Sequence, residues 1–197
     1  MKQSELSRTT RAALRRIQHR IERYYELESA PDVALFASAG IDGEREVLFV
    51  RDGGEAVEMA LRVPGARPSV GANDVWLQLL EGVSHFVYLA ERVRTSLPAT
   101  QLELELQAEV DKFVFLALDG DEKRRADAQS LHRRIFEQSV FLHPPDTEAG
   151  ERYRYANSLA ARLAARLAGR DAGEVRALLR RFYRAGQAEK ITLACAA

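Results

Sequence analysis

Cysteine is almost absent: the chain of 197 residues has one, Cys195. That excludes a disulfide framework and any metal site needing two thiolates from one chain. Long apolar runs are missing too; none reaches the roughly 18 residues of a bilayer-spanning helix. The opening stretch from Met1 to Arg16 has no apolar segment, so it does not read as a secretory signal. Net charge is lacking as well, because 29 Lys and Arg balance 29 Asp and Glu. A chain with so weak a global field implies no partner of a given sign. The familiar catalytic and cofactor motifs are absent. There is no phosphate-cradling GxxxxGK loop, no GxGxxG after a strand, no HExxH and no GxSxG. No cofactor is therefore expected, and a cytoplasmic location is. Arg outnumbers Lys 25 to 4, which points to a bacterial gene of high GC content.

What is present is ordinary globular composition, 46% hydrophobic and 29% charged, which excludes disorder and rod-like assemblies. A chain of this length buries roughly 70% of its unfolded surface without staples. One domain over 1–197 is expected, with a helix and small sheet in 1–63 and a helical bundle in 73–197. Charge is uneven along it. Residues 1–30 carry seven basic and four acidic groups, 31–119 seven and fifteen, and 120–197 fifteen and ten.

Residues 4–29 predict a helix started by Ser4 or Ser7 and stopped before Pro31. Leu14, Ile17, Ile21 and Tyr24 recur at helical spacing, and six arginines from Arg8 to Arg23 cover the remainder. The period then changes. Val33–Ala37, Glu46–Arg51 and Glu55–Val63 predict three strands, the last two joined at Asp52-Gly53-Gly54, a hairpin signal. In the last strand Val57, Met59, Leu61 and Val63 fall on one face. We expect a three-stranded antiparallel meander with one covered side. The stretch 64–72, with two Pro and two Gly, predicts a connector carrying Arg67.

From Asn73 to Asp119 the pattern predicts two helices folded back on each other. Asn73 is the expected cap of the first, with Trp76, Leu80, Val83, Val87 and Ala90 inward. Gln78, Glu81, His85 and Arg92 share its polar side. Gln101–Leu106 alternates like a strand. Its residues are nevertheless strong helix formers, and Thr100 with Glu103 has capping-box spacing. Helix over 100–118 follows. Three more helices are expected over 121–139, 147–168 and from Asp171 to about Gln187. Their inward residues are Leu131, Ile135 and Gln138, then Tyr155, Leu159, Leu163 and Leu167, then Val175, Leu178, Leu179 and Phe182. The fold class is therefore α+β and mostly helical: an N-terminal helix and small meander, then a bundle of about five helices.

Candidate chemistry is sparse. Glu81 and His85 stand one turn apart, as do Glu105 and Glu109. Carboxylate and imidazole at that spacing suit a metal, or a base with its orienting group. Known carboxylate-bridged bundles use Glu-x-x-His, one residue tighter than Glu81 to His85. His19, His132 and His143 lack ligand-type neighbours. Arg176, Arg180, Arg181 and Arg184 make a basic face on the last helix. The first expectation is a non-catalytic interaction module, an adaptor or regulator with a protein partner or a second copy of itself. The second is metal binding or catalysis at the Glu81/His85 face. The third, and least expected, is nucleic-acid binding through the basic terminal helices.

Overall fold

The computed structural model describes residues 6–41, 45–54, 56–64, 72–118, 128–139, 141–167 and 170–196. The chain divides into two compact units, Met1–Pro98 and Ala99–Ala197.

The first unit opens with α1 (Arg8–Tyr25). The Thr10 amide donates to Ser7 Oγ at 3.0 Å, so Ser7 supplies the cap that the sequence allowed to it or Ser4. Leu14, Ile17, Ile21 and Tyr25 are buried. Tyr25, four residues after Ile21, continues the stripe that we expected Tyr24 to end; Tyr24 is half-buried beside it. The helix also stops short of residue 29, at Glu26 in the left-handed region (φ 52°). Two buried side chains of α1 hold the segment that follows. Gln18 Nε2 donates to the Ala30 and Pro31 carbonyls, its Oε1 accepts from the Val33 amide, and Glu22 Oε1 accepts from the Ala30 amide. Each bond satisfies a backbone group that helix would otherwise have used.

The expected first strand is corrected in kind. Val33–Phe36 is a single helical turn, α2, because Asp32 caps the Ala34 amide at 3.0 Å. Only Ala37–Ala39 is extended, as β1. β2 (Val47–Asp52) and β3 (Val57–Val63) form the expected antiparallel hairpin, with the Gly53 amide donating to the Ala56 carbonyl and Gly54 at φ +81°. The sheet is not an antiparallel meander, however. Its order is β1-β3-β2, and β1 runs parallel to β3 with Ala37 opposite Leu61. β1 lies across β3 from β2, and the Gly40 amide extends that pairing by donating to the Val63 carbonyl at 2.7 Å.

Helix α3 (Ala72–Arg94) covers the sheet. It starts one residue before Asn73, so Asn73 lies in the first turn rather than at the cap. A Cβ on Gly82 would stand 2.9 Å from Leu61 Cδ1, so glycine there lets helix and strand approach closely. Leu80, Val83, Phe86, Val87 and Ala90 are buried; Trp76 is half-buried. The expected polar side is not solvated: Gln78, Glu81 and Arg92 are buried as well. Arg92 Nε donates to the Tyr88 hydroxyl at 3.0 Å, which satisfies part of that cost. Beyond the helix Ser96 takes φ 55°, and the Leu97 amide returns to the Arg92 carbonyl. The 65–71 stretch, including Arg67, lies outside the described residues.

The second unit opens with α4 (Gln101–Phe113), which settles the QLELEL ambiguity through a complete capping box. The Glu103 amide donates to Thr100 Oγ1 and the Thr100 amide to Glu103 Oε2. The expected single helix to 118 ends in a wider π turn, Val114–Leu118. Next come α5 (Ala128–His132) and a second π turn, Arg133–Glu137. Here Phe136 is the buried residue, and Gln138, expected inward, is exposed. The expected helix start at 121 lies outside the described residues.

Helix α6 (Glu148–Leu167) buries Ala156, Leu159, Ala160, Leu163, Ala164 and Leu167. Tyr155, expected on that stripe, is 46% exposed. The alanines allow α6 to pack closely along α4. Helix α7 (Ala172–Arg184) is capped by Asp171, which accepts from the Gly173 and Glu174 amides. Extended backbone at Ala185 and Gly186 then breaks the expected last helix. A separate α8 (Gln187–Cys195) follows. No helix among the described residues is long and apolar enough to cross a membrane.

Candidate functional site

Three places in the described residues gather chemistry, and they lie on different elements. The first is the Glu81/His85 turn of α3, in the first unit. Gly82 seats this turn against β3 and Glu46, so Glu81 is 5% exposed. Arg45, in the segment before β2, reaches it: Nη2 lies 3.6 Å from Glu81 Oε2. The pair stands partly outside, since the Arg45 side chain is exposed. His85, one turn on, is half-buried. Arg45 faces one oxygen of the Glu81 carboxylate, Oε2.

Glu105 and Glu109 belong to α4, in the second unit. The four residues singled out from the sequence thus divide two and two between the units. Glu105 is buried; Glu109 is half-buried and accepts from Lys112 Nζ at 2.8 Å. One carboxylate of each pair therefore already faces a cation from its own unit.

The second place is the interior of the second unit, and the sequence reading missed it. Lys190 of α8 is fully buried. Its Nζ donates to Gln107 Oε1 at 2.6 Å, and Gln107 Nε2 donates to Asp111 Oδ1 at 3.0 Å. The Phe182 ring lies 4.2 Å from the ammonium, centroid to nitrogen. Ammonium, amide and carboxylate form a chain of two hydrogen bonds, and the ring face adds attraction for the cation. No solvent reaches Lys190, Gln107 or Asp111, so this network holds α8 on α4 rather than meeting a substrate. Two signals pointed to it: Gln107 and Asp111 share a face at i,i+4, and Lys190 is one of only four lysines against 25 arginines.

The third place is the outer edge of the sheet. β2 is an edge strand, and Val47, Phe49 and Val50 on it are 42, 45 and 48% exposed. Val50 shares a face with Leu48, opposite Met59 and Leu61, yet the cover that buries Leu61 does not extend to it. Phe49 lies on the other face with the Arg62 guanidinium 4.8 Å from its ring centroid.

The remaining candidates disperse. His19 is exposed on α1. His132 bonds the Ala161 carbonyl at 3.1 Å between the rings of Phe113 and Phe136. His143 stacks on Tyr153 at 5.4 Å. Asn157 is buried and donates to the Phe136 carbonyl. On α7, Arg181 pairs with Glu189 at 2.9 Å, and Arg176 and Arg184 donate to carbonyls of their own helix. No protein-family model, no curated protein and no solved structure matches the chain.

Proposed function

We propose that this chain is a cytoplasmic protein-interaction module without catalytic activity, and that its primary partner is a second copy of itself joined along β2. The exposed apolar edge carries the reading. An edge strand offers a row of backbone donors and acceptors, and soluble proteins commonly blunt it with proline or inward charge. β2 has neither between Val47 and Val50; its charged residues, Arg51 and Asp52, come at the hairpin end. Two such strands brought together antiparallel about a twofold axis are self-complementary. With Phe49 opposite Phe49, Leu48 meets Val50 on the inner face, and both exposed surfaces are covered at once.

A pairing of six residues lies below the ~1,200 Å² of a standard interface, so dissociation near about 10 μM is expected. Sedimentation across that concentration range tests it. The wild-type chain should shift from monomer to dimer, and Val50→Lys should stay monomeric with an unchanged melting temperature. A wild-type chain that is monomeric up to about 100 μM, or a dimer indifferent to both Val50→Lys and Phe49→Lys, overturns the proposal.

A further inference from the structure

Helix α1 shows an arrangement that edge pairing does not use. Its 18 residues contain Arg8, Arg11, Arg15, Arg16, His19, Arg20 and Arg23. At ~100° per residue all seven fall within about half of the helical circumference. The other half, Leu14, Ile17, Gln18, Ile21 and Tyr25, is buried. The one acidic residue of α1, Glu22, is buried and hydrogen-bonded to Gln18 and Ala30. Arg15 is neutralised by Asp32, which its Nη2 meets at 2.8 Å. Arg8, Arg11, Arg16 and Arg23 are exposed, and none has an ion-pair partner among the described residues. From Arg8 to Arg23 the face is about 22 Å long at 1.5 Å per residue.

We infer that this face binds the phosphodiester backbone of duplex nucleic acid. Like charges held on one rigid face repel one another, and a linear polyanion relieves that repulsion along its whole length. Guanidinium groups present paired donors that match phosphate oxygens, which a lysine ammonium does not. The α-helix is rigid and narrow enough to lie along a groove of the duplex. A lipid surface suits it less, because the apolar half that would insert is already buried in the first unit. Arginines dominate the face, with only His19 and Thr9 among them as other polar side chains, so phosphate contacts set the affinity and little sequence preference is expected.

The test is fluorescence anisotropy with a labelled mixed-sequence DNA duplex of about 20 base pairs at ~50 mM salt, using the full chain. The wild-type protein should bind, with an affinity that falls by a log–log slope of about −3 to −4 in salt, as four phosphate contacts require. The quadruple variant Arg8→Glu, Arg11→Glu, Arg16→Glu and Arg23→Glu should lose binding. The same four positions as Gln, a gentler change to folding, should weaken it at least about tenfold with the helical circular dichroism retained. Arg176→Glu with Arg180→Glu, on α7, should leave binding in place. Absence of binding at low salt overturns the inference. So does binding that the Gln variant leaves unchanged, or binding of phosphatidylserine vesicles without binding of the duplex. None of these readouts depends on dimerisation, because Val50→Lys keeps α1 intact.

Discussion

In the first unit Leu35, Ile41, Val47, Phe49 and Val50 stand in solvent, whereas in the second unit Lys190, Gln107 and Asp111 are sealed from it. The contrast follows from the layers each unit uses. A three-stranded sheet buries one face only as far as its cover reaches, and here the cover reaches Leu61 and Val63 but not Val50. Helices packed through alanines and leucines can enclose even an ammonium group when it is hydrogen-bonded. The first unit therefore leaves an apolar strand edge and an arginine face in solvent. The second holds its unusual polar groups inside, where they specify packing.

Lys190→Met should have the largest effect. It leaves Gln107 and Asp111 buried without their cation, at a cost of about 3 kcal/mol. The loss is read from the urea midpoint by far-ultraviolet circular dichroism at an unchanged slope. If stability is unchanged, the buried network does not set the packing of the second unit. Gly82→Val comes next. Its added carbons meet Leu61 at the contact between α3 and β3, and overpacking of this kind costs roughly 2 kcal/mol. Trp76, the only tryptophan, lies on the same helix, so its fluorescence reports this unit. A wild-type midpoint would show that the sheet gives way freely and that its cover is looser than the contact implies.

The smallest effect is a pH dependence in the first unit. The hydrogen bonds from Arg15 hold the Asp32 carboxyl below its ordinary value of 3.8. A carboxylate lowered on folding adds stability above the unfolded value, and that increment disappears as pH falls through the folded one. The pair is exposed, so solvent screens most of its energy. Asp32→Asn should flatten the stability curve below about pH 4, and an unaltered acid limb would show that the pair contributes nothing.

Local signals carried through where one residue decided the outcome. Thr100 and Glu103 marked a helix start despite the alternation of QLELEL, and the capping box formed. Asp171 likewise began α7. Signals failed where a distant side chain intervened. Val33–Phe36 looks extended by residue type, but Asp32 caps it and Gln18, almost three turns into α1, binds its first amide. Faces were legible to within one residue, as Tyr24 and Tyr25 show, because the step from Ile21 can be three or four. Burial of Glu81 and Arg92 was not legible, since periodicity records which residues share a side and not what lies against it. Lys190 escaped because its helix, nine residues after an extended break, has too little apolar pattern to announce itself.

The strand order has a kinetic consequence. β2 and β3 meet across a few residues around Gly53 and Gly54, a closure that takes microseconds. β1 is made first along the chain but pairs only with β3, and Ala37 reaches Leu61 across the whole hairpin. Loop-closure entropy therefore puts the hairpin before the third strand. As the chain emerges from the ribosome, β1 has no strand to join until residue 63 is out.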